Sequence, residues 1–245
     1  MEFLQELAGW LAEPAHWTGP DGMLPRFVEH LGLAGVPLAV ATAIALPIGL
    51  VIGHTGRGAW AAISVANLGR ALPTLGILGM ILPLTAGIEP YGFDLIPSTI
   101  ALVALAIPPI VTNTYAGLRG VDPELVEAGR GMGMREGELL RLVEVPIALP
   151  AILAGLRISA VQVVATATLA AVLGAGGLGR LIIDGIAQQD DAQLFAGAAL
   201  VALLAIGTEL VFARLQRAVV SRGMRLATAQ SEDELAAESA RAPGI

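Results

Sequence analysis

Few side chains in this sequence could carry out bond chemistry, and their placement argues against it. His16, His30 and His54 are spread over segments with no reason to converge, so a metal centre is not expected. The chain has no cysteine, which removes thiol nucleophiles, cluster ligands and disulfides. No Ser/His/Asp arrangement stands out. Gly174, Gly176 and Gly179 formally fit the dinucleotide fingerprint G-x-G-x-x-G, but that motif must follow a buried strand inside a βαβ unit, and here it follows a long apolar run. The glycines read instead as a sharp turn that folds the next segment back, with a flexible turn of no direct role as the alternative.

The elements that hold these residues are oily. Hydrophobic residues make up 55% of the 245 positions and charged ones 14%, with a mean hydropathy of +0.74. Several runs reach the roughly 20 residues needed to cross about 30 Å of hydrocarbon, so the chain reads as one polytopic, all-α membrane domain. A soluble helical bundle is the disfavoured alternative. The net charge of −7 is spread mainly over the N-terminal segment and the C-terminal tail, and it points to no nucleic acid partner. No basic region precedes an apolar stretch in Met1–Glu13, so insertion is expected to rely on the spans themselves.

Five spans are predicted, near Val28–Ile52, Ala59–Ala86, Leu95–Leu118, Pro150–Leu173 and Leu194–Phe212. The second contains Asn67, Gly69, Arg70 and Pro73 and is expected to be a bent span. Residues 1–22, with Trp10 and Trp17, read as an interfacial segment or a loose tail; residues 23–217 form the membrane domain, and 218–245 a solvated cytoplasmic tail. Orientation follows from arginine, since lysine is absent. If the polar loop 121–150 is inside, nine arginines (57, 119, 130, 135, 141, 214, 217, 222, 225) flank the inner ends against two (Arg26, Arg180) outside. The positive-inside rule then places the N-terminus outside and the C-terminus inside.

Charged and polar residues within spans are candidates for a solute path. Arg70 is the most conspicuous, and Asn113, Gln162, Thr166 and Thr168 are further candidates; each has a structural alternative as an interhelical hydrogen bond. Arg70 could instead pair with Glu209, and Arg157 is expected to snorkel to the inner interface.

The long polar stretch Val121–Pro150 organises the rest. Asp122 suits a helix N-cap, Pro123 the first helical position and Glu124 the positive end of the dipole. Leu125, Val126, Ala128, Gly129 and Met132 would gather on one side, and Gly131 and Gly133 would end the helix. A second amphipathic turn would place Leu139, Leu140, Leu142 and Val143 together, and Pro146 would stop it. Two short helices joined by a glycine elbow suit a groove on a soluble partner.

Here the residues carry a resemblance. Glu127-Ala128-Gly129, then Gly133, then Val143-Glu144-Val145-Pro146 resembles the EAA loop of importer-type ABC permeases, with Gly129 in place of the second alanine and valines in place of Ile and Leu. The joined block VDPELVEAGRGMGM, PIALPAILAGLR and TATLAAVLGAGGLG resembles the permease subunit of osmoprotectant importers of the glycine betaine, choline and carnitine class, over about Leu31–Arg217. The resemblance implies a five-span type I ABC importer permease (MetI-like) core with cytoplasmic coupling helices. It implies cytoplasmic ABC ATPase subunits gripping the loop, a second permease copy or paralogue, and an extracytoplasmic substrate-binding protein near the glycine turn. It also implies an alternating-access cycle in which the permease does no covalent chemistry. In that reading Leu125, Met132 and Met134 form an apolar edge for the partner's cleft, and a buried Glu127 holds the two helices at a fixed angle. No P-loop Gly-Lys-Ser/Thr exists in a chain without lysine, so ATP and its magnesium would belong to the partner, and no cofactor is expected here. A permease for another small solute such as an amino acid, a secondary transporter and a membrane scaffold are the alternatives.

Overall fold

The computed structural model describes residues 2–71 and 73–219, and these form helices joined by turns and short loops, with no strand among the described residues. Two short outer helices, α1 (Glu2–Ala12) and α2 (Ala15–Thr18), precede the long α3 (Met23–Thr55). The second oily run is two helices rather than one bent span: α4 (Ala59–Ala71) and α5 (Thr74–Thr85), with extended backbone at Pro73 between them. A proline ring disfavours helix in the residue before it, so the bend becomes a break. α6 (Leu95–Arg119) follows, capped by Asp94, whose carboxylate accepts the Leu95 N–H at 2.6 Å. Then come α7 (Pro123–Gly131), α8 (Glu136–Leu139), a π-helical turn (Leu140–Glu144) and α9 (Val145–Thr166). A 3₁₀ segment (Ala167–Leu173), α10 (Leu178–Gln188) and α11 (Asp191–Val219) complete the bundle.

Among the described residues, four continuous helical stretches are long and apolar enough to cross a membrane, at Ala15–Thr55, Leu95–Arg119, Glu136–Leu173 and Asp191–Val219; α5 is apolar but shorter. The expected fourth span begins earlier than Pro150, because α8 runs through the π turn into α9. Pro146 therefore does not stop the helix. The widened turn, closed by the Val145 N–H on the Leu140 carbonyl, makes room for a ring that would clash in α geometry.

Small residues let the central helices approach closely, which is how apolar helices associate where water supplies no driving force. A Cβ at Gly49 of α3 would lie 2.7 Å from Thr114 Cβ of α6, and one at Gly117 would lie 2.7 Å from Ala151 Cβ of α9. Ser159 Oγ of α9 donates to the Ala106 carbonyl of α6 at 2.8 Å. Ala41, Ala45, Ala106, Ile110 and Val163 form the centre of this core.

At the end of the bundle that carries residues 2–22 the glycine turn is anchored. Gly174 and Gly177 take positive φ (95° and 81°), and the Gly177 N–H donates to Glu29 of α3 at 2.8 Å. Arg26 Nη1 donates to the same carboxylate oxygen at 2.9 Å. His30, fully buried beside it, donates from Nε2 to the Val164 carbonyl at 2.9 Å, where α9 passes into 3₁₀ geometry and its own ladder loosens. The N-terminal segment is docked too: Phe3 meets Phe195 of α11 edge-on at 5.5 Å, and Trp10 packs on the cluster of Met23, Leu178, Leu181 and Val201.

Candidate coupling site and path residues

The polar stretch folds into a compact elbow, and its sequence dictates most of it. Asp122 accepts the Glu124 N–H at 2.9 Å and Pro123 opens α7. The helix ends in a Schellman turn: the Met134 N–H reaches the Gly129 carbonyl (3.2 Å) and the Gly133 N–H reaches that of Arg130 (2.9 Å), with Gly133 at φ +85°. α8 begins with the Glu138 carboxylate accepting the Arg135 N–H at 2.9 Å.

Gly129 explains its own departure from alanine. A Cβ there would sit 2.7 Å from Leu139 Cδ1, and Leu139 is fully buried between α7 and α8. Loss of a methyl on one helix is matched by a leucine on the other. Arg130 then ties the two helices across their outer surface through Glu136, with Nε–Oε1 at 2.9 Å and Nη2–Oε2 at 3.1 Å. The Arg130 hydrogen bonds hold the Glu136 carboxyl below its ordinary range against the opposing desolvation, helped by the charges of Arg130 and His54.

Three expectations are corrected here. Glu127 is exposed, not buried; the buried carboxylate is Glu144, 5% exposed, which meets His54 Nδ1 at the end of α3 at 2.5 Å. His54 Nε2 faces Glu136 at 3.2 Å, so one imidazole touches the start of α8 and the end of the π turn. Helix register is the reason: Glu144 lies on the inward side of the π turn, whereas Glu127 lies on the side of α7 away from Gly129 and Leu139. The apolar residues of α7 also divide. Gly129 is buried and Val126 half-buried, while Leu125, Ala128 and Met132 (78%) stand exposed. Leu142 likewise faces out, parted from buried Leu139 and from half-buried Leu140 and Val143. Met134 is half-buried and Pro146 exposed.

The path candidates are not gathered in one place. Arg70 belongs to α4, which meets α6 on the face carrying Pro108 and Val111, and its side chain lies outside the described residues. Asn113 and Gly155 meet on a different face, where α6 meets α9. Asn113 Nδ2 donates within its own helix to the Pro109 carbonyl at 2.8 Å, so it is no interhelical bond. Gln162 is exposed, Thr166 and Thr168 are half-buried, and Thr168 bonds back to the Ala165 carbonyl at 2.9 Å. Arg157 and Glu209 pair with each other, Arg157 Nε donating to Glu209 Oε2 at 2.7 Å. Antiparallel packing of α9 on α11 puts them at one level, an alignment 52 residues apart in sequence that no local pattern discloses. His54 and Glu144 escaped sequence reading for the same reason, although a lone carboxylate in the apolar run Leu142–Val145 was a usable signal.

This architecture has close counterparts among solved membrane transporters. One structure of the MetNI methionine ABC transporter, in an inward-facing conformation, superposes with a TM-score of 0.74 at 25% identity, covering 86% of this chain and all of that one. The fold and its loop thus define the class: a multi-pass membrane permease of the ABC importer type. A family model described as "Binding-protein-dependent transport system inner membrane component" matches residues 45–225, and the chain belongs to that family. Among its relatives, the choline transport system permease protein OpuBB of Bacillus subtilis is 36% identical over 85% of this chain and 93% of that protein. The osmoprotectant import permease protein OsmW of Salmonella typhimurium is 36% identical over 80% and 91%.

Proposed function

We propose that this chain is the permease subunit of an ATP-driven importer of osmoprotectants of the glycine betaine, choline and carnitine class. The observation that carries the reading is the rigid α7–α8 elbow, EAA-spaced and clipped to α3 by His54, together with the transport named for its relatives. In this reading Glu127, Ala128, Met132 and the exposed Leu125 form the surface gripped by a cytoplasmic ATPase, while Gly129, Gly133, Met134, Val143 and Pro146 shape it. The partners are two ATPase subunits that hold ATP and magnesium, an extracytoplasmic substrate-binding protein, and a second permease copy or paralogue. The permease itself performs no catalysis. Arg57, Arg119, Arg130, Arg135, Arg141, Arg214 and Arg217 all cluster at the end that carries the elbow, which supports an inside position for that end and an outside one for residues 1–22. Residues 218–245 would then be a cytoplasmic tail. Asn113, Gln162, Thr166 and Arg70 remain the proposed path residues.

Closure of the ATPase dimer would draw the two elbows together. Because each elbow continues through the π turn into α9, and is tied to α3, the pull reaches two long spans as a rigid-body motion. Import of another small solute is the second reading, favoured by the likeness to the methionine transporter. Reconstitution with the ATPase and binding protein tests both. Uptake of labelled glycine betaine that needs ATP and the ATPase is expected; uptake driven by an ion gradient alone, or betaine-independent uptake of an amino acid, would overturn the osmoprotectant reading.

A further inference from the structure

An ion pair left partly open in the middle of a membrane domain demands an explanation beyond helix pairing. Gly155 of α9 meets Asn113 of α6, and Gly117 meets Ala148 and Ala151, which fixes the register of these antiparallel helices. Arg157 is therefore level with residue 111, eight residues from the inner end of α6 at Arg119, or about 12 Å at 1.5 Å per residue. With a hydrocarbon half-thickness of about 15 Å, that is close to the bilayer centre. Yet the Arg157 and Glu209 side chains keep 36% and 38% of their surface exposed.

The exposure has a direction. α9 buries one side on α6 (Gly155, Ser159) and another on α11 (Pro150 and Arg157, which meet Gln216 and Glu209). Between these sides runs an open strip bearing Ile158, Gln162 and Ala165, with Asn113 at its α6 edge and the ion pair at its α11 edge. Gln162 is exposed on this strip, about two turns beyond Asn113. Hydrocarbon against this strip would strip water from a primary amide and from two charges at once, the arrangement membranes penalise most.

Resting on the importer reading above, we propose that this strip of α9 lines a water-filled conduit and that the Arg157–Glu209 pair is its charge-selecting element. Arg157 takes the carboxylate, and Glu209 the fixed cation, of a small zwitterionic solute. The pair offers both charges at one depth, and the two groups neutralise one another when no solute is present. Nothing in this strip resembles an aromatic cage; recognition here is by charge and water.

The absence of cysteine makes the test direct. Ile158→Cys and Gln162→Cys, introduced singly into the assembled transporter, are expected to react with a membrane-impermeant thiol reagent, while Leu203→Cys on the outward face of α11 is not. Glycine betaine should slow the reaction at position 162 at least threefold. That protection should vanish in an Arg157→Gln/Glu209→Gln background, which removes both charges without stranding either; retained co-purification with the ATPase confirms assembly, and Arg157→Lys alone should keep partial protection. Absence of labelling at both strip positions would mean lipid contact, and disulfide-linked dimers would mean a permease–permease seam; each overturns the conduit. No protection by betaine in the parent, or equal protection without the charges, overturns the selecting role. Failure of the importer reading is distinguished because uptake is measured separately: labelling without uptake leaves the conduit standing, and uptake without labelling removes it.

Discussion

His54 holds the elbow through two carboxylates of unlike setting. Glu144 is buried, so replacing it with alanine removes the partner of His54 Nδ1, and a lost buried hydrogen bond to an ionisable group is worth about 1–3 kcal/mol. Glu144→Ala is expected to lower the thermal midpoint in detergent, and Glu144→Gln, which keeps an acceptor, to lower it less. Glu136 differs because it is exposed and its carboxyl is held below the ordinary range chiefly by Arg130. A depressed carboxyl contributes stability above its unfolded pKa and loses it as pH falls through the folded value. Hydrogen exchange in α7 and α8 should therefore quicken only at acid pH, below the usual glutamate range, and by a small factor, since solvent screens an exposed pair. Gly133 is constrained by its φ of +85°, which costs most residues about 1–2 kcal/mol. Gly133→Val should abolish pull-down of the ATPase, whereas Gly133→Asn, tolerant of that region, should retain it.

At the level of elements, the π turn is the joint between elbow and span. Pro146→Ala removes the clash that the wide turn accommodates, and a turn that reverts to α geometry rotates the elbow about 100° relative to α9. The expected result is a folded permease that still binds the ATPase but imports less solute per ATP hydrolysed, read from coupled uptake and phosphate release. The glycine turn is the opposite joint. Gly177 has φ 81° and ψ −179°, and a Cβ there would lie 2.9 Å from Leu33 Cδ1. Gly177→Ala should cost about 1–3 kcal/mol and detach the turn from Glu29, seen as faster exchange in α10. The elbow is thus joined to α9 through the π turn and to α3 through His54.

For the molecule as a whole, the orientation proposed from arginine placement is measurable because the chain lacks cysteine. Trp17→Cys should label in intact cells with an impermeant thiol reagent, and Met132→Cys only after permeabilisation; the reverse pattern would refute the proposed orientation. Much of this organisation was legible from residues alone. The apolar runs gave α3, α6, α9 and α11, and Asp122, Pro123 and Gly133 gave the start and end of α7, because caps and turns depend on neighbours within a few positions. The break at Pro73 was read as a bend, and the π turn at Pro146 as a stop, since a proline announces a conflict without saying how the backbone resolves it. Burial was harder. Glu127 and Glu144 are both carboxylates in amphipathic segments, and which of them faces inward depends on how the helices are rotated against α3. Sequence by itself determined the class of the protein: its immersion in a membrane, the elbow and the charge asymmetry, whereas the five spans expected from it compare with four stretches long and apolar enough to cross among the described residues. Tertiary structure alone decided the partnerships (His54 with Glu144, Arg157 with Glu209, Glu29 with the Gly177 N–H), because groups 52 to 148 residues apart meet only when helix packing fixes register and rotation together.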